Sequence, residues 1–159
     1  MLAPNYMTAE ELEIDEATHR GLVIVLGMLE RGELKHAPEA WRVAPPKTPI
    51  RGFNMGTTGY DPGYTVISDG PAKSCGSVAC IGGWVCIVNG WRIPDGFELD
   101  EQCPSSALRR LYFPCAVKDW DDITPTEAAA ALRNYLVTGD PAWDKVVPAE
   151  RLADQEPVA

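Results

Sequence analysis

Histidine is scarce in this chain, and basic residues as a class are outnumbered. There are two histidines in 159 residues, and 14 lysines and arginines stand against 23 aspartates and glutamates. The formal net charge of −9 opposes nonspecific binding to nucleic acid and to anionic membrane surfaces. We therefore expect neither nucleic acid nor membrane as a partner, and a protein with a basic surface fits this charge better.

Long apolar runs are missing too. The two longest, 22–29 and 78–88, are well short of the roughly 20 residues that a membrane-spanning helix needs. No positively charged and then apolar leader opens the sequence, so we expect a cytoplasmic protein. Its five cysteines, an odd number, are then expected to be reduced thiols and not a disulfide framework.

The motifs of common cofactor sites are also absent. The glycines at 52, 56, 59 and 63 lack the lysine and the Ser/Thr of a phosphate-binding loop. Four cysteines have the chemistry of zinc ligands: Cys75, Cys80, Cys103 and Cys115. Only Cys75 and Cys80 have a C-x₂₋₄-C spacing, and the other two do not form the second such pair of a structural site. We expect no metal and no other cofactor.

What the chain does have is one segment rich in both apolar and small side chains, SCGSVACIGGWVCIVNG at 74–90. It predicts a buried central helix over 76–89, because apolar residues occur all round the helical wheel. Adjacent glycines cost about 1 kcal/mol each inside a helix, so a neighbouring segment should press against the small-residue face. The predicted structural core of this segment is Cys75, Ala79, Gly82, Gly83, Trp84 and Cys86.

The opening of the chain predicts an acidic helix. Thr8 and Glu11 have the spacing of a capping box, and the apolar pattern that follows extends the helix over 9–31. Within it, the β-branched run at 22–26 is also compatible with a short buried strand.

Two more helices are predicted in the second half. The segment 105–113 has a helical pattern and is followed by a proline. Thr124 as N-cap, Pro125 at the first helical position and Glu127 closing a capping box begin a helix over 125–138.

Prolines and glycines make 35–73 a long irregular connection, in which 64–67 could form a short strand. Phe53 and Met55 could anchor an extended stretch on the core, and 91–104 is predicted to be loop.

The predicted fold is therefore mainly α. It is a small helical bundle around a buried central helix, with one long irregular connection and room for a short β element. Residues 1–147 form a single domain, and 148–159 are a tail that we expect to be disordered.

The order of these landmarks resembles a family of small bacterial and phage proteins with a CGT-x-ACIAGW-like box, here Cys75 to Trp84. That family also has a Phe-x-Met segment, a Leu-Phe-Pro-like turn and an alanine-rich helix begun by threonine, matched here by 53–55, 111–114 and 123–139. Ser77 stands where threonine is usual. The resemblance implies a fold and carries no activity.

Cys75 is the most tempting nucleophile, because a thiol at a helix N-terminus is favoured as thiolate by the helix dipole. A thiol-dependent hydrolase or transferase also needs a base, and His19 and His36 are the two histidines available. We expect His19 on a solvated face of the first helix and His36 in a loop. A buried structural thiol is favoured, and catalysis by Cys75 with one of these histidines is the alternative.

Two sets of residues favour a non-enzymatic protein-interaction or inhibitor module instead. One is the acidic opening: Glu10, Glu11, Glu13, Asp15 and Glu16. The other is a set of aromatic residues in predicted loops: Trp41, Tyr60, Tyr64 and Trp91. A solvated helix face and a cover over the core are the plain structural alternatives for the two sets.

Overall fold

The computed structural model describes residues 5–37, 51–57 and 78–153. Over these ranges the protein is mainly α, as the sequence predicts, with one small parallel sheet. No helix in the described ranges is both long and apolar enough to cross a membrane. The helices are α1 (Ala9–Leu12), α2 (Glu16–Glu30), α3 (Ile81–Val88), α4 (Gly96–Glu101), α5 (Ser106–Tyr112), α6 (Pro125–Thr138) and α7 (Trp143–Val146), and the strands are β1 (Lys35–His36), β2 (Gly52–Phe53) and β3 (Val78–Ala79).

The prediction of one helix over 9–31 is wrong, because a non-helical segment separates α1 from α2. Glu13 adopts a left-handed conformation, with φ at 59°, which interrupts the helical hydrogen-bond pattern. Asp15 then caps α2 by accepting the backbone N–H of Thr18 at 2.6 Å. The β-branched run at 22–26 is helical and lies inside α2.

The predicted helix over 76–89 begins later than expected. The first described residues of this range form strand β3. Cys80 is the N-cap of α3, and its sulfur accepts the N–H of Gly83 at 3.4 Å. The prediction that Ala79 is helical is therefore wrong, because this residue belongs to a strand. Cys75 itself lies outside the described residues.

Helix α3 is the centre of the core, and its residues 81–87 are all buried. One side packs against α2, which also packs against α6, where Arg133 and Glu30 form an ion pair at 2.7 Å. The indole N–H of Trp84 donates to the carbonyl of Gly52 at 2.8 Å, which ties α3 to β2. The described members of the predicted core of this segment are all buried: Ala79, Gly82, Gly83, Trp84 and Cys86.

The sheet is three parallel strands in the order β1-β2-β3, with His36, Phe53 and Ala79 in register. Phe53 and Met55 are buried against the helices, at the place where the sequence predicts an extended stretch on the core. Two of the strands belong to the predicted irregular connection, and the strand expected at 64–67 lies outside the described residues.

The prediction that 91–104 is loop is wrong in part, because α4 lies within it. Asp95 caps this helix by accepting the N–H of Glu98 at 2.8 Å. The pair Asp-x-x-Glu is a helix-start signal, and it is present in the sequence. Leu99 is the buried residue of α4.

Helices α5 and α6 lie within about one residue of their predicted ranges. Both halves of the capping box at Thr124 and Glu127 are formed, and Gly139 ends α6 in a left-handed conformation with φ at 84°. Of the predicted tail, Ala149–Arg151 form a short 3-10 helix and Leu152 forms a β-bridge with Val117, while 154–159 lie outside the described residues.

At Gly82, neighbouring segments come close to α3. A Cβ at this position would lie 2.7 Å from Cδ2 of Leu99 and 3.0 Å from Cδ2 of Tyr112, both buried. Gly82, which lies on the small-residue face predicted from sequence, therefore meets side chains of α4 and α5. A larger residue at 82 would overlap both.

We predict that Gly82→Leu lowers the free energy of unfolding by about 3 kcal/mol, because an extra side chain must force apart packed neighbours. At about 2–4 °C per kcal/mol for a domain of this size, the melting temperature should fall by about 6–12 °C. Gly96→Ala is the matched control, since nothing lies within 4 Å of its Cβ position. Calorimetry should find Gly96→Ala unchanged or more stable, and an unchanged Gly82→Leu transition would contradict the close contact.

Candidate functional site

The five acidic residues of the opening are all exposed, but two of them act as helix caps. Glu11 accepts the backbone N–H of Thr8 at 3.0 Å, and the hydrogen bonds from Thr8 lower the pKa of its carboxyl. Asp15 caps α2. The carboxylates left without a capping role are Glu10, Glu13 and Glu16.

Of the predicted aromatic set, the structure describes Trp91, which is 40% exposed. The other three members lie outside the described residues: Trp41, Tyr60 and Tyr64. Sequence reasoning missed Phe97, which is 73% exposed on α4. The sequence contains a signal for this exposure. Side chains two positions apart on a helix point about 200° away from each other, so Phe97 faces solvent when Leu99 is buried.

The two exposed aromatic residues lie in one acidic stretch. Between 91 and 102 there are four acidic residues and one arginine. That arginine, Arg92, pairs with Glu98 at 2.5 Å, which folds the coil carrying Trp91 back beside α4. We call the set Trp91, Asp95, Phe97, Glu98 and Glu101 the α4 surface.

The α4 surface adjoins the acidic opening at Trp91. The side-chain amide of Asn89, at the end of α3, donates to the carbonyl of Ala17 in the first turn of α2 at 3.1 Å. Trp91 follows Asn89 by two residues, a span of at most about 7 Å. The backbone N–H of Trp91 donates to the carbonyl of Cys86 at 2.9 Å. Trp91 and Glu16 therefore lie at the same end of the helix pair.

Neither histidine is where the sequence suggested. His19 is 4% exposed, not solvated, because the chain before α1 folds over it and its Nε2 hydrogen-bonds the carbonyl of Met7 at 2.8 Å. His36 lies on strand β1 and not in a loop; its ring is exposed, and Nε2 contacts the carbonyl of Asp121 at 2.6 Å. Among the described residues, neither ring pairs with a carboxylate.

The carboxyl ends of the strands hold a buried polar network. Asn54 is fully buried, donates to the carbonyl of Ala37 at 2.9 Å and accepts the N–H of Gly56 at 2.7 Å. The carboxylate of Asp121 lies so close to Gly56 that a Cβ there would be 2.0 Å from its Oδ1. These contacts join the sheet to the turn before α6, and they satisfy Asn54, so we interpret the network as structural.

Three of the four described cysteines are buried thiols whose ionisation is disfavoured. Burial raises the pKa of the Cys80 thiol to about 11, and it also raises the pKa of Cys86 to about 12 and of Cys103 to about 11. Cys115 is exposed, and all four are free. Within the described ranges, no group of three or more ligating side chains is arranged to hold a metal ion.

Comparisons of the chain with known protein families, with curated proteins and with solved structures found no match. The site therefore has to be interpreted from its own residues. Their chemistry is that of exposed apolar and acidic groups on a rigid core.

The buried thiols predict a loss of stability at high pH. In the unfolded chain a thiol ionises near pH 9, whereas buried Cys80 stays neutral up to about pH 11. The contribution of this buried neutral thiol to the free energy of unfolding is therefore fully present below pH 9. It falls by about 3 kcal/mol as the pH rises toward 11.

Denaturant unfolding measured at intervals between these pH values should show a shallower loss for Cys80→Ala than for the wild type. Cys115→Ala is the control, because it makes the same substitution at an exposed cysteine. Equal slopes for Cys80→Ala and wild type would contradict the burial of a neutral thiol.

Proposed function

We propose that this protein is a non-enzymatic protein-interaction or inhibitor module of bacterial or phage origin, which binds a basic partner protein through the α4 surface. The observation that carries the proposal is Phe97, a phenylalanine 73% exposed on a helix whose other apolar residue is buried. Fully burying such a side chain contributes about 1.5–3 kcal/mol. Trp91 adds a second aromatic residue of the type enriched at interface hot spots.

The negative charge of the α4 surface indicates a partner with basic side chains. The α4 surface contributes three carboxylates, and the acidic opening adjoins it at Glu16. Arginine or lysine side chains around an apolar pocket would pair with these groups, and the overall charge of −9 would raise the association rate. A second copy of this chain is a poor occupant of this surface, because it would bring like charges together.

The alternative, thiol catalysis by Cys75, has lost support from one of its two histidines. His19 is enclosed and its Nε2 is engaged by a backbone carbonyl. His36 is the more accessible base of the pair. A covalent adduct with an electrophilic probe that disappears in Cys75→Ala would favour this alternative over the interaction module.

The test is capture of a partner from a bacterial lysate by the immobilised protein, followed by measurement of the dissociation constant with the purified captured protein. Trp91→Ser with Phe97→Ser should weaken that affinity by about 100-fold or more, because two anchor side chains are lost.

Ala130→Ser is the matched control, since Ala130 is exposed on α6 and its substitution leaves the α4 surface intact. The affinity should also fall with rising salt, because exposed charge pairs are screened. A captured protein that binds the double variant as tightly as the wild type would contradict the proposal.

A further inference from the structure

The outward side of α2 carries a second surface, which meets the region of the α4 surface only at Glu16. Successive side chains on a helix are about 100° apart, which places five residues within an arc of about 80°. Four of them are exposed and the fifth, a glycine, is half-buried. We call this set the α2 stripe: Glu16, Arg20, Ile24, Gly27 and Arg31.

An exposed isoleucine lies at the middle of the α2 stripe. Ile24 is 42% exposed, one of three large apolar side chains in the described ranges that are so exposed. Within those ranges, the side chains of Glu16 and Arg20 form no ion pair. Gly27 is covered by Arg31 of its own chain, whose Nη1 would lie 2.8 Å from a Cβ at that position.

The order of charges along the stripe is self-complementary. In an antiparallel pair of helices related by a two-fold axis, residues that sum to a constant number face each other. If Glu16 faces Arg31 of a second copy, the axis passes between Val23 and Ile24. The same register puts Arg20 opposite Gly27, where a flat surface can receive a long side chain.

We infer that the α2 stripe is a self-association surface, on which two copies of this chain pair their α2 helices antiparallel about Ile24. Each dimer then holds two Glu16–Arg31 ion pairs between copies, with the two Ile24 side chains at the centre. The positive end of each helix dipole also meets the negative end of the other. A parallel pairing would place like charges opposite each other.

Formation of the dimer requires the Arg31 side chain to give up its contacts within its own copy. Arg31 pairs with Glu33 at 2.5 Å, but 64% of its side chain is exposed, and exposed pairs contribute little to stability. Turning Arg31 toward Glu16 of the second copy also uncovers Gly27. The exchange therefore replaces one exposed ion pair by one that lies beside buried apolar surface.

The test is a charge swap followed by sedimentation equilibrium over a range of protein concentrations. Wild type should associate to a dimer, whereas Glu16→Arg alone and Arg31→Glu alone should each weaken dimerisation by about tenfold or more, because like charges then face each other. The double variant E16R/R31E restores opposite charges and should recover dimerisation.

Mixing the two single variants gives the sharper result. Each should dimerise weakly alone, and an equimolar mixture should form a heterodimer more tightly than either variant pairs with itself, since both contacts of the heterodimer are complementary. Arg110→Glu, which reverses the charge of an exposed arginine on α5, is the matched control and should dimerise like wild type.

Ile24→Glu should abolish dimerisation and leave the melting temperature unchanged when both proteins are compared at a concentration where the wild type is monomeric, because the side chain is exposed in the monomer. A wild type that stays monomeric up to millimolar concentration overturns the inference. So does a dimer that persists unchanged in Ile24→Glu and in both single charge variants. Neither result bears on the α4 surface, which is tested by its own variants.

Discussion

The burial of Trp84 is the constraint on which the rest of the structure depends. It is the largest of the fully buried side chains, and its indole N–H must find an acceptor because a buried unpaired donor costs about 1–3 kcal/mol. The acceptor is the carbonyl of Gly52, on a strand that is far from α3 in sequence. Helix α3 and strand β2 are therefore fixed relative to each other by one hydrogen bond inside the core.

Close packing around α3 explains where the glycines are used. At Gly82 the helix admits Leu99 and Tyr112, and at Gly21 on the opposing helix a Cβ would be 2.9 Å from Val85. Helices on two sides of α3 thus approach it more closely than larger side chains would allow. This packing draws the apolar side chains of α2, α4, α5 and α6 inward, and what remains outside is mostly charged.

Against that largely apolar core, three large apolar side chains of the described residues are exposed. Scattered surface hydrophobic residues are ordinary, but Trp91 and Phe97 share an acidic stretch, while Ile24 is flanked by charges in a self-complementary order. The two surfaces are on different helices and require different partners. A dimer formed through α2 would present two copies of the α4 surface.

Local signals in the sequence determined much of the helical structure. The capping boxes at Thr8 and at Thr124 begin helices because the required groups lie three residues apart, and Gly139 stops α6 because glycine adopts positive φ easily. Sequence pattern also identified the segment that is buried, since apolar residues all round a helix leave no polar face for water.

Only the tertiary structure decided where that segment changes from strand to helix. Residues 78–79 pair with β2, and the hydrogen bonds of a sheet come from distant residues that periodicity does not report. Likewise the fates of His19, enclosed by the chain near Met7, and of Phe97, turned outward by Leu99, depend on contacts between segments. Helix signals are local and can be read along the chain, whereas exposure and pairing are properties of the packed molecule.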